Sequence, residues 1–291
     1  MPLRIGLVGA GPWAHEVHGV GLAASPRVEF AGVWARRAEA AAALADAHGV
    51  PVYDDVDTLV EAVDAVAFCV PPEVQARLAT RAAVRGRHLV LDKPIAADLA
   101  TGEPLATAAE RAGVHSGVFF TCRYLPAARE FLTEAHAGKW HGGQATFVSG
   151  ALLAGQFADS PWRHESGALW DVGPHAVELL DAALGPVTGV RAAARGPSDL
   201  VHLVLDHDSG AVSQALLSLR VPLTTTLAEV ELFGDEGSHA FALAGMSATD
   251  AYGVLLGELA DRVEGTGAGP ACDVHRGLQV QRVLAAAGDL L

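Results

Sequence analysis

Over the first 120 residues, short apolar runs alternate with stretches rich in Ala, Leu, Glu and Arg. The runs at 3–8, 28–34, 65–70, 88–91 and 114–120 predict strands, and 13–24, 36–48, 55–62, 73–85 and 98–112 predict helices. Pro51, Pro71-Pro72, Pro94 and Gly113 stand at the joints, where breakers belong. Strands alternating with helices predict parallel βαβ units and a doubly wound sheet. From about 122 the pattern changes. A helix at 126–137, a strand near 144–152, a loop and a helix at 167–184 lead into five successive strands. These cover 187–195, 200–206, 211–220, 226–234 and 238–244, and a last helix fills 275–290. Asp206-His207-Asp208-Ser209-Gly210 predicts a hairpin turn between two of them. The succession predicts an α+β unit with a mostly antiparallel sheet. The fold class is therefore α/β: a Rossmann-like domain over 1–121 and an α+β domain over 122–291.

Composition narrows the function. With 51% hydrophobic and 19% charged residues the chain is globular, and 291 residues favour two cores. A net charge of -14 argues against nucleic acid and anionic membranes as partners, which need clustered Lys and Arg. Cys69, Cys122 and Cys272 are scattered, which fits a reducing compartment rather than a disulfide framework. The first strand starts at residue 3, leaving no room for a signal peptide, and no apolar run reaches membrane-spanning length. The expectation is a cytoplasmic protein.

The run Leu3–Val8 ends in Gly9-Ala10-Gly11-Pro12-Trp13-Ala14, the G-x-G-x-x-A form of a dinucleotide-binding turn. Gly9 permits the tight turn, Gly11 lets backbone approach a pyrophosphate, and Ala14 lets the helix pack on the strand. The helix that follows points N–H groups and its positive dipole end at the phosphates. An acid that accepts the ribose 2′-hydroxyl is expected about 20 residues on, at the end of the second strand. Ala35, Arg36 and Arg37 stand there instead. Two guanidinium groups suit a 2′-phosphate, so NADP is expected over NAD, with NAD still possible. His15 and His18 are three apart with no cysteine or paired carboxylates beside them in sequence. No metal is expected there, and a structural role or proximity to phosphate is.

Arg85-Gly86-Arg87-His88-Leu89-Val90-Leu91-Asp92-Lys93-Pro94 resembles the aGkhVlxEKP signature of the glucose–fructose oxidoreductase / inositol dehydrogenase / MocA family. Val70-Pro71-Pro72 is similar to that family's Pro-containing loop, and Arg123-Tyr124-Leu125-Pro126 to its Arg-Phe/Tyr-x-Pro junction. Trp162-Arg163, with Ser166-Gly167-Ala168-Leu169-Trp170-Asp171-Val172-Gly173-Pro174-His175, resembles its WR…GGxLxDxGxH block. The resemblance extends through most of the chain. It implies a catalytic trio of Lys93, Asp171 and His175, a cis peptide before Pro94, and a homodimer or homotetramer. Cofactor contacts are implied for Val70, Pro71, Pro72, Asp92, Lys93, Pro94, Thr121 and Arg163, beside the turn residues and Ala35, Arg36 and Arg37. Arg123, Tyr124, Trp162 and Trp170 are implied on the substrate side with the trio.

Chemistry agrees with those roles. Asp171 and His175 are four apart, which on a helix is one face. Hydride transfer at a hydroxyl-bearing carbon needs a proton partner, and His175 suits it by its ordinary pKa. Asp171 orients the ring or bonds the substrate, and Lys93 stabilises developing negative charge on the oxygen. The expected substrate is a sugar, polyol or related small molecule, bound between the two domains at the strands' carboxyl ends. Asp92, Thr121, Gln75, the Glu165-Ser166-Gly167 run and Glu178 depart from the family pattern, several on the substrate side. Two alternatives stay open: reduction of an imine or another carbonyl, and a non-catalytic NADP-binding sensor.

Overall fold

A computed structural model describes residues 1–155, 158–243 and 247–291. The chain divides into two compact units, Met1–Tyr124 with Ser247–Leu278, and Leu125–Met246 with Gln279–Leu291.

In the first unit the elements run β1 (Leu3–Val8), α1 (Gly19–Ala24), β2 (Val28–Trp34), α2 (Ala38–His48), α3 (Val56–Ala62) and β3 (Ala65–Phe68). They continue through α4 (Pro72–Val84), β4 (His88–Asp92), α5 (Leu99–Ala112) and β5 (Ser116–Phe119). All strand pairs are parallel, in the order β2-β1-β3-β4-β5. The order reverses between β1 and β3, and a ligand crevice in such sheets opens at the carboxyl ends of that pair. Gly9–Ala14 and Cys69–Pro72 leave the sheet there. Ile5, Leu7, Val8 and the whole of β3 are buried, as parallel strands covered on both faces should be.

Ahead of α1 the helix is not regular. Ala14–His18 is a π-helical turn, closed by the Gly19 N–H on Ala14 O. The wider turn brings three successive residues, Val17, His18 and Gly19, to the buried side, which a 3.6-residue period does not do.

The second unit holds α6 (Pro126–Ala137), β6 (Trp140–Val148), α7 (Pro161–Asp171), α8 (Gly173–Leu184), β7 (Val187–Gly196) and β8 (Leu200–His207). β9 (Val212–Ser218), β10 (Leu227–Gly234) and β11 (Gly237–Ala242) complete its sheet. The order is β11-β10-β6-β9-β8-β7, antiparallel throughout except for β6 with β9. Alternation along the strands gives the sheet one buried face, carrying Val201, Leu203, Leu205, Ala215, Leu217, Val230 and Leu232. Helix α8 packs against β6, β9 and β10. The hairpin turn at 206–210 forms as expected, with Gly210 at φ 85.

Three expectations need correction. A helix α9 (Ala248–Glu264), followed by α10 (Val274–Gly288), occupies a stretch with no assigned element. Helix α9 packs on α1 and β5, so Ser247–Leu278 returns to the first unit and residues 122–291 are not one domain. The helix expected at 167–184 is interrupted: the helical stretch starts at Pro161, kinks at Gly167 (φ 68, ψ -169), ends at Asp171 and restarts at Gly173. Pro174 has no N–H for the carbonyl four residues back, and its ring clashes there. Gln156 and Phe157 of the expected loop, and Ala244 at the expected end of the last strand, lie outside the described residues. Among the described residues no helix is long and apolar enough to cross a membrane.

Candidate active site

Both units carry expected residues, and the first carries most of them. In the first, Gly9 ends β1 with φ 123 and donates its N–H to Trp34 O at 2.9 Å. A Cβ on Gly9 would stand 2.1 Å from the carbonyl oxygen of Cys69, so both the dihedral and the close approach demand glycine. At Gly11 a Cβ would meet nothing within 4 Å. Open space in front of this turn is what a pyrophosphate needs, so the residues present fit a dinucleotide. Pro12 and Trp13 begin the helix, and Ala14 is fully buried beneath it. Ala35, Arg36 and Arg37 follow β2, both arginines exposed. Neither guanidinium has a salt bridge or hydrogen bond among the described residues. Val70 and Pro71 lie at the mouth of β3, while Pro72 is buried as the first residue of α4.

Lys93 follows the last residue of β4, and the Lys93–Pro94 peptide is cis, as the resemblance implied. Gln75 on α4 holds this segment. Its Oε1 accepts from Asp92 N at 2.9 Å, and its Nε2 donates toward Asp92 O at 2.8 Å, with Pro94 O and Ile95 O at 3.2 Å. Asp92 Oδ1 in turn accepts from Lys93 N at 2.8 Å.

Behind Asp92 lies His18, wholly buried. Its Nδ1 is 3.1 Å from the Tyr252 hydroxyl, and its Nε2 is 3.6 Å from Asp92 Oδ2. Burial pushes the Tyr252 phenol well above its usual range, with Cys69 and Asp92 adding to the effect, so it stays protonated. Gly21 makes this possible, since a Cβ there would lie 2.6 Å from the Tyr252 ring. Histidine and cysteine, apart in sequence, are neighbours here: the donor atoms of His18, Cys69 and Asp92 lie within 4.8 Å of one another.

Thr121 is buried in a 3-10 turn that also holds Arg123 and Tyr124. Tyr124, expected on the substrate side, is wholly buried, and its hydroxyl lies 3.3 Å from Cys272 N and 3.4 Å from Cys272 O. It is a packing residue that ties the returning chain to the first unit, and it has no surface for a substrate.

In the second unit Asp171 is the last residue of α7 and His175 the third of α8. They flank Val172, the residue between the two helices. Asp171 is buried and accepts from Arg163 Nε at 3.0 Å, while the guanidinium lies 4.8 Å above the Trp162 ring. His175 stacks on Phe147 with ring centroids 6.2 Å apart. Trp162 and Trp170 are half-buried on α7.

Two further features of this half carried no sequence signal. Asp199 Oδ2 accepts from Ala168 N at 2.6 Å and fills the space a Cβ on Gly167 would take, where φ is 68. Arg220 donates to His164 Nδ1 at 2.8 Å. Such contacts join residues 31 and 56 apart, beyond any local pattern.

Profiles of known families decide the relationship. One described as an oxidoreductase family with an NAD-binding Rossmann fold matches residues 3–120, and the GFO/IDH/MocA C-terminal domain matches 126–240. The chain belongs to the GFO/IDH/MocA oxidoreductase family. It is 27% identical over 236 residues to the rhizopine catabolism protein MocA of Rhizobium meliloti, covering 75% of this chain and 72% of that one. A dTDP-3,4-didehydro-2,6-dideoxy-alpha-D-glucose 3-reductase of Streptomyces violaceoruber is 31% identical over 198 residues, 66% of this chain and 57% of the reductase. Several other curated relatives are matched over only 50% to 59% of their length. Among solved structures, GenD2 from gentamicin A biosynthesis in complex with NAD superposes with a TM-score of 0.86 at 21% identity. That superposition covers 99% of this chain and 93% of GenD2, and it shows a shared fold.

Proposed function

We propose that the chain is an NADP-preferring oxidoreductase that moves a hydride between nicotinamide and a hydroxyl or carbonyl carbon of a sugar, polyol or related small molecule. The observation that carries the cofactor choice is the end of β2. Arg36 and Arg37 are exposed there, have no acidic partner among the described residues, and stand where an NAD enzyme keeps a carboxylate. A 2′-phosphate would take charge-assisted hydrogen bonds from both, and NADH would leave them in water. Gly9, Gly11 and the start of the following helix would hold the pyrophosphate.

The nicotinamide, when bound, supplies or accepts the hydride. Lys93 stabilises negative charge on the substrate oxygen, and His175 exchanges its proton. Asp171, oriented by Arg163, bonds the substrate or fixes the His175 ring. The rigid support beneath each group favours this assignment: Gln75 fixes the segment of Lys93, and Phe147 backs the imidazole. The sugar-related names of several relatives support the substrate class. Assembly as a homodimer or homotetramer belongs to the same reading, supported by Leu227 and Phe233 exposed on β10. A cytoplasmic location fits three cysteines with no disulfide among them.

Calorimetric titration with NADPH and NADH tests the cofactor choice. NADPH should bind at least about tenfold tighter, a difference of about 1.4 kcal/mol. Arg36→Ala and Arg37→Ala should each erode that preference and leave NADH binding unchanged. Tighter NADH binding would refute it. Once a substrate is found, activity surviving in His175→Ala would remove that residue from proton transfer.

A further inference from the structure

We propose that His18, Cys69 and Asp92 form a binding site for a zinc-class divalent transition-metal ion inside the first unit. Their three donor atoms come from the π-turn, the end of β3 and the end of β4, and lie within 4.8 Å of one another. A tetrahedral ion with bonds of about 2.0–2.3 Å holds its donors about 3.3–3.8 Å apart. His18 Nε2 and Asp92 Oδ2 already stand at 3.6 Å.

The state of His18 points to a ligand. The residue is wholly buried, and its Nε2 has no hydrogen-bond partner among the described residues. A buried ring nitrogen left in this way is costly unless something occupies its lone pair. The other nitrogen faces the Tyr252 hydroxyl at 3.1 Å, the arrangement by which a metal-binding histidine is held in one orientation by an outer partner. Asp92 is oriented too, because its Oδ1 accepts from Lys93 N at 2.8 Å while Oδ2 faces the histidine. Cys69 and Asp92 are only partly buried, which leaves solvent a way in.

The donor set selects the ion. Imidazole, thiol and carboxylate together suit zinc and its neighbours, whereas magnesium and calcium take oxygen ligands. On binding, the Cys69 thiol passes its proton to solvent, and thiolate and carboxylate balance the two positive charges. Three protein ligands leave a fourth position for water. Through Asp92 the bound ion is coupled to the segment that presents Lys93.

Co2+ is the probe, titrated into cofactor-free, chelator-treated protein, so the result does not depend on the cofactor or the reaction. We expect one equivalent to bind, with a thiolate-to-cobalt charge-transfer band and the visible bands of a tetrahedral site, both erased by Zn2+. Cys69→Ser should abolish the charge-transfer band while a thermal melt shows the protein folded. Tyr252→Phe keeps the shape of the core and should weaken Co2+ binding about 10- to 100-fold. Absence of the charge-transfer band, its survival in Cys69→Ser, or unchanged affinity in Tyr252→Phe would each overturn the proposal.

Discussion

Replacing Gln75 by leucine tests how the Lys93 segment is held in place. The side chain is 1% exposed, so its hydrogen bonds are not shared with bulk water. Oε1 takes the Asp92 N–H at 2.9 Å, and Nε2 faces three carbonyls, of Asp92 at 2.8 Å and of Pro94 and Ile95 at 3.2 Å. An amide nitrogen has two hydrogens, so the two longer contacts share one of them. Leucine is similar in size and removes every polar atom. It leaves one backbone N–H and at least two carbonyls without their partner, each at a cost of about 1–3 kcal/mol. Asp92 is partly exposed and water repairs some of its loss, so the low end applies. Three groups at about 1 kcal/mol each give about 3 kcal/mol in all. At about 2–4 °C per kcal/mol, the melting temperature should fall by about 6–12 °C. Gln75→Glu should do no better, since it keeps the acceptor for Asp92 N–H and turns an oxygen on the carbonyls. Differential scanning calorimetry of both variants measures this. A Gln75→Leu protein that melts within about 1 °C of the parent would refute the reasoning.

Gly9→Ala places a Cβ 2.1 Å from the Cys69 carbonyl oxygen at a φ of 123, and should cost about 3 kcal/mol or more in urea unfolding. An unchanged midpoint would contradict the close approach. Asp199→Ala strips the acceptor from Ala168 N, 2.6 Å away, and should lose about 1 kcal/mol, with Asp199→Asn recovering part of it. The third concerns pH. Burial lowers the pKa of His88, helped by the neighbouring His115, and His88 Nδ1 accepts the His115 N–H at 2.9 Å. The unfolded state therefore binds the proton more readily, so stability is present above the ordinary histidine value of about 6.5 and is lost as pH falls below it. Urea unfolding between about pH 8 and pH 5 should show that decline. His88→Gln should flatten it, and an equally steep decline in that variant would rule His88 out.

How far the fold could be read depended on whether an element's burial is periodic by itself. β1, β2 and α6 have the expected bounds because Leu3–Val8 and Val28–Trp34 are near-continuous apolar runs and Pro126 and Gly138 bracket a helical stretch. Helix α9 went unassigned although its buried positions, Ala251, Tyr252, Leu255, Leu256 and Leu259, have helical spacing and Ser247 caps its first turn. Three glycines within and after it, Gly253, Gly257 and Gly265, break the apolar run and hide the period. Its membership in the first unit is a tertiary fact, since no local pattern says which sheet a helix packs against.

The site divides along the same line. Gly9, Gly11 and the Lys93–Pro94 pair carry meaning in their own backbone, and a turn or an X-Pro bond is legible in a few letters. His18 is different. Three residues from His15 and with no cysteine or paired carboxylates beside it in sequence, it is expected to be structural or near phosphate. The π-turn breaks that spacing and sends His18 inward while His15 stays part-exposed. Its neighbours come from residues 69, 92 and 252, and the Tyr252 ring fits only because Gly21 has no side chain. A glycine in a short helix reads as a weakness, at a cost of about 1 kcal/mol against alanine. Against the Tyr252 ring it is a requirement, because alanine at position 21 would put its Cβ 2.6 Å from a ring carbon. The letters that looked least favourable for α1 are thus the ones that seat a distant helix on it, and with that helix the phenol that orients His18.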